Sequence, residues 1–91
     1  MSLEKGPNPE NKLFGKYEID REGYVNFGDI ARGELNMQSQ YASRYVSGLD
    51  RPKLGEDLRI KGNPDDYHNL RIHKDDVEEF VKRVRAEREK Q

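Results

Sequence analysis

Residues 24–49 read YVNFGDIARGELNMQSQYASRYVSGL. Val25 and Phe27 alternate as in a strand, and Phe27, Ile30, Ala31 and Leu35 then recur at helical spacing as one apolar stripe. Asn26 is placed to cap that helix, and Asp29 in its first turn suits the positive end of the dipole. The run Asn36, Met37, Gln38, Ser39 interrupts the pattern, with Asn36 able to turn the chain, Met37 to point inward and Ser39 to cap the next helix. Over residues 39–49 the stripe Tyr41, Ala42, Tyr45, Val46 and Leu49 predicts a second amphipathic helix, closed by Gly48 and Pro52. The stretch therefore predicts strand, helix, polar turn and helix.

The opposite face of the second helix is Gln40, Ser43, Arg44 and Ser47. It is small, polar and free of acids in a chain with 18 Asp and Glu. A solvated structural helix usually carries Glu and Lys there, which are better helix formers. Ser and Gln can bond base edges and phosphates, and Arg44 can bond guanine through two donors. An ordinary surface face that happens to lack acids is the competing reading.

Downstream, Leu58, Ile60, Leu70 and Ile72 alternate with Arg59, Lys61 and Arg71 around a turn-rich run at residues 62–66. This predicts a β-hairpin over residues 58–73 with an apolar inner face and a basic outer face. Such a face suits a phosphate-contacting wing, although basic side chains also protect exposed sheet edges. Residues 75–90 read as the clearest helix, with Val77, Phe80, Val81 and Val84 on one stripe, acids at its start and bases at its end. The stripe stops at Val84. Residues 85–91 are thus expected to be a solvated end or a meeting surface for a second copy, as a dimer or array.

Upstream, residues 1–12 hold two prolines, a glycine, two asparagines and no apolar periodicity, and are expected to form a disordered arm ahead of a single domain at residues 13–84. Tyr17 and Ile19 precede, and Val25 and Phe27 follow, a turn in which Gly23 supplies positive φ, so a first hairpin is expected. Residues 18–29 also resemble the calcium loop of the EF-hand family. Glu18, Asp20, Glu22 and Asp29 fall at loop positions one, three, five and twelve, Gly23 at six and Val25 at eight, with Phe14 and Tyr17 where that family places aromatics on its entering helix. An acidic turn feeding a strand is the preferred reading, and a calcium loop the alternative.

Composition narrows the classes further. At 91 residues, 32% hydrophobic and 38% charged, the chain has room for one small core. Without cysteine there are no disulfides, no cysteine-ligated zinc and no cysteine nucleophile, which fits a cytoplasmic protein. No apolar run approaches a membrane span, so no membrane partner is expected. His68 and His73 form no clustered ligand set, and no phosphate loop or catalytic order appears, so no metal, no cofactor and no enzyme activity are expected. Net charge is -1, but it is unevenly spread. Residues 1–35 carry five Lys/Arg against seven Asp/Glu, residues 36–74 seven against five, and residues 75–91 five against six.

The order strand, helix, turn, helix, two-stranded wing, helix resembles the excisionase and MerR-like winged-helix proteins, including the DNA-binding domain of phage terminase small subunits. The likeness rests on residues 25–31 (VNFGDIA), 41–49 (YASRYVSGL) and 70–80 (LRIHKDDVEEF), within a pattern covering about two-thirds of the chain. It implies a small α+β winged helix-turn-helix that binds double-stranded DNA, acting as a regulator, recombination accessory or packaging factor. Carried over by position, it sets Ser39, Gln40, Ser43, Arg44 and Ser47 in the major groove and Arg59, Lys61 and Arg71 on the phosphates. A protein-interaction module built on the same fold is the alternative.

Overall fold

The computed structural model describes residues 12–13 and 16–90. Residues 1–11 of the expected arm, and Phe14 of the calcium-loop pattern, lie outside them. Strand β1 (Lys12–Leu13) pairs antiparallel with β2 (Tyr17–Glu18), and an Ile19–Val25 bridge leads on to β3 (Tyr24–Asn26). The turn between them is closed by Asp20, whose carboxylate accepts the N–H groups of Glu22 and Tyr24 at 2.9 Å each, while Gly23 takes φ +88°. The expected turn is thus an aspartate-capped loop in which only a residue without Cβ adopts the required φ easily.

Helix α1 (Phe27–Glu34) starts directly on β3. The Asn26 side chain accepts from Asp29 N–H at 3.2 Å, as the capping pattern required, and Phe27, Ile30, Ala31 and Leu35 are all buried. Asn36 turns the chain at φ +53°, a conformation Asn tolerates, and two short helices follow: α2 (Ser39–Ala42) and α3 (Arg44–Ser47). A long loop then leads to β4 (Ile60–Lys61), a 3₁₀ turn at Tyr67–Asn69, β5 (Arg71–His73) and α4 (Lys74–Glu89).

In the three-stranded antiparallel sheet β5 is central, between β3 and β4. Its Ile72 faces Val25 on one neighbour and Ile60 on the other, so one apolar row crosses the sheet. Val25 and Ile72 are fully buried against Val77, Phe80, Val81 and Val84 of α4, the stripe read from the sequence. The Phe27 and Phe80 rings meet at 5.4 Å, edge to face, and join α1 to α4. Each large apolar side chain fully buried in this way contributes about 1.5–3 kcal/mol. His73 has a local role absent from the sequence reading: its Nδ1 accepts Asp75 N–H at 3.2 Å and caps α4.

The last turns of α4 are exposed apart from Glu87, and two of their arginines reach back to α1. Arg85 donates to the Glu34 carbonyl at 2.8 Å and Arg88 to the Leu35 carbonyl at 2.7 Å, which places two cations on the negative end of α1. Glu34 also accepts from the Tyr17 hydroxyl at 2.6 Å and pairs with Lys16 at 3.1 Å. Among the described residues no helix is long and apolar enough to cross a membrane.

Two outcomes follow from the Tyr17 contact. A Cβ added to Gly33 would collide with Tyr17 Oη and lie 2.9 Å from its Cζ. Gly33→Ala should therefore cost about 1–3 kcal/mol in the native chain, yet become neutral or favourable by up to about 1 kcal/mol in a Tyr17→Ala background, where helix propensity alone decides. Urea unfolding of the four proteins in this cycle gives the comparison. Burial, and then the bond to Glu34, push the Tyr17 pKa from 10.0 up to about 12. The fold thus favours neutral Tyr17; this stability is complete below pH 10 and is lost as pH rises from 10 through about 12. A Tyr17→Phe chain should lack that part of the alkaline decline.

Candidate nucleic-acid interface

The helical segment of α2 and α3 differs in register from its sequence reading. Ser43 Oγ donates to the Gln40 carbonyl at 2.9 Å, a back-bond that competes with the helical ladder and divides the segment at that residue. With its hydroxyl satisfied, Ser43 packs inward at 5% exposure. Ser39 is also buried, at 8%, and lies inside α2; Gln38 holds the cap position, without a side-chain bond. Neither serine is placed to meet a groove, which corrects two of the five expected contacts. Tyr41 and Leu49 correct the apolar stripe, being 45% and 61% exposed. Tyr41 projects its amphipathic ring outward, and Leu49 lies beyond Gly48, whose φ of +84° ends helical spacing.

The outward face is therefore Gln40 and Tyr41, with Arg44 and Ser47 half-buried beside them. Arg44 lies over the Tyr41 ring at 5.2 Å and has no carboxylate partner among the described residues. Gln40 Oε1 accepts from the Tyr67 hydroxyl at 3.2 Å, linking this face to the 3₁₀ turn. Ser47 Oγ accepts Leu49 N–H at 3.3 Å and helps shape the exit of α3.

The β4–β5 pair forms with Lys61 opposite Arg71 and Ile60 opposite Ile72. Its outer face, however, is not purely basic. Lys61 is paired with Glu22 of the Asp20 turn and stands 4.1 Å from the centre of the Tyr24 ring. Arg59 binds Asp76 of α4 through two donors, at 2.9 and 3.3 Å. The hydrogen bond from Arg59 holds the Asp76 carboxyl below its ordinary pKa of 3.8. Arg71 has no ion pair among the described residues, but it lines a polar cleft of about 280 Å³ with Glu18, Asp20 and Asp29. These acids were invisible as partners because Glu22 is 39 residues from Lys61 and Asp76 is 17 from Arg59. Of the three expected phosphate contacts, Arg71 alone lacks a carboxylate bond.

Asp20, Glu22 and Asp29 of the calcium-loop pattern have other partners in the same geometry. Tyr17–Glu18 is a strand where an entering helix would be needed. Asp20 is occupied by two backbone N–H groups, Glu22 by Lys61, and Asp29 by Arg32 at 2.9 Å. Among the described residues no three His, Cys, Asp or Glu side chains gather as a metal site. In the linker at 51–57, Asp57 accepts from Arg83 at 2.7 and 3.0 Å.

If the Arg59–Asp76 pair fastens β4 to α4, it should weaken on acidification. Because the folded pKa is depressed, its stabilisation is present above 3.8 and is lost as pH falls through the lower folded value. Asp76→Asn should be less stable than the native chain at neutral pH, with the gap closing in acid; thermal unfolding across that range measures it.

Compared with known proteins, the chain matches no protein family, no curated protein and no solved structure.

Proposed function

We propose that this chain is a non-enzymatic DNA-binding protein with a winged helix-turn-helix fold of the excisionase and MerR-like kind. The observation that carries the reading is the face of α2 and α3 on which exposed Gln40 and Tyr41 and half-buried Arg44 stand without an acid among them. Their setting supports it. A short turn with Asn36 at positive φ joins α1 to α2, the β4–β5 hairpin stands beside this pair, and β5 passes straight into the helix that caps α1.

In this reading the α2–α3 face enters the major groove. Gln40 can read adenine and Arg44 guanine through paired donors and acceptors, while Tyr41 offers an apolar edge to a thymine methyl. Arg71 is the wing cation best placed to reach a phosphate. Arg59 and Lys61 would first have to leave Asp76 and Glu22. With one arginine on the helix, a single copy should bind modestly and with marked salt dependence. The role as regulator, recombination accessory or packaging factor belongs to the same proposal.

Arg44→Ala should weaken binding to duplex DNA by roughly ten-fold or more, the worth of one guanidinium–base contact. Its loss from the Tyr41 ring should cost only about 0.5–1 kcal/mol of stability. Gel shifts at low salt with mixed-sequence duplexes, alongside thermal melting, separate the two effects. If no duplex is retarded by the native chain, the reading fails.

A further inference from the structure

Arg44 is followed by Arg51 and Lys53 in the loop that leaves α3, and none of the three has a carboxylate partner among the described residues. This loop is held in place. Gly48 N–H donates to the Arg44 carbonyl at 2.8 Å, and Leu54 N–H donates to the Tyr45 carbonyl at the same distance. From the other side Arg83 donates to the Leu54 carbonyl at 2.7 Å and grips Asp57. The two loop cations lie against the fold, Arg51 by its guanidinium and Lys53 by its aliphatic chain. Arg51 lies 6.0 Å over the Tyr45 ring and donates to the Asp50 carbonyl, while the Lys53 chain runs against Gly48, its Cγ 2.8 Å from where a Cβ would stand.

Residues 36–55 hold these three cations and a single acid, Asp50. The wing presents the contrary case, with two of its three cations already bonded to carboxylates. An anion meets no competing carboxylate bond at Arg51 or Lys53, whereas at Arg59 or Lys61 it must first displace one.

We infer that Arg51 and Lys53 form a phosphate-gripping edge continuous with the α2–α3 face, and that this loop, not the Arg59–Lys61 strand, holds the duplex backbone. The inference rests on the DNA-binding reading above and deepens it. The contacts that the Arg51 guanidinium and the Lys53 chain already make leave less side-chain freedom to lose, which favours binding by these two residues over flexible surface lysines. Tyr41 and Leu49, the exposed large apolar side chains of the described residues, lie on the same segment and can pack on sugar and base edges.

Fluorescence anisotropy with a mixed-sequence duplex, repeated over a series of salt concentrations, tests this on the full chain. The Arg51→Gln/Lys53→Gln protein should bind roughly ten-fold more weakly at low salt, with the slope of log affinity against log salt reduced by about 1.8, two phosphate contacts at 0.9 each. The Arg59→Gln/Lys61→Gln protein should keep the native slope. Amide shifts of the native chain on adding duplex give a second reading that needs no variant to fold, and they should fall on residues 51–53 and not on 59–61. If the wing variant loses slope while the loop variant keeps it, or the shifts map to the wing, the inference is overturned and DNA binding stands. A native chain that binds no duplex at any salt overturns both.

Discussion

The pairing of β5 with two neighbours at once is the constraint on which the rest of the molecule depends. Ile72 lies between Val25 and Ile60, so one residue holds together strands from the start and the middle of the chain. Phe27, the first residue of α1, donates its N–H to the Leu70 carbonyl at 3.0 Å, and its ring meets Phe80 beneath the sheet. The orientation of α1, and through it of α2 and α3, is set by this crossing. Since β5 passes directly into α4, the sheet and the helix that buries its inner face are one continuous piece.

Small domains of high charge have little apolar area to spare, and here polar bonds complete what the core begins. Arg85 and Arg88 return from α4 to the carbonyl end of α1, and Arg83 ties the loop after α3 to the same helix. One face of α4 thus packs the core while its arginines fasten two distant segments. A solvated end with no further task would leave those α1 carbonyls to water.

The elements with strong local signals were legible in the sequence. The α1 stripe with its Asn26 cap, the α4 stripe from Val77 to Val84, and the alternation around Ile60 and Ile72 all declare themselves because burial there follows one simple period. The candidate face was legible only in part. Gln40 is exposed as read and Arg44 is half-buried, but Ser39 and Ser43 are buried; Ser43 enters the core at little cost because its hydroxyl bonds a carbonyl of its own helical segment. Tyr41 moved the other way, since hydrophobicity alone does not separate a tyrosine that is buried from one with its ring against an arginine.

Charge was the hardest property to read, because its meaning depends on partners far along the chain. Counting Lys and Arg by segment marks the 36–74 region as positive, yet it cannot distinguish Arg59, bonded to Asp76, from Arg51, whose head is free of acids. Ion pairs within the fold cancel many of the 17 cations against the 18 acids, and what a polyanion meets is the remainder. A net charge of -1 is thus compatible with a locally positive surface when the unpaired cations lie side by side. In this fold Arg44, Arg51 and Lys53, on α3 and the loop behind it, belong to that remainder, as does Arg71, while Lys61 and Arg59 latch the Asp20 turn and α4 to the hairpin.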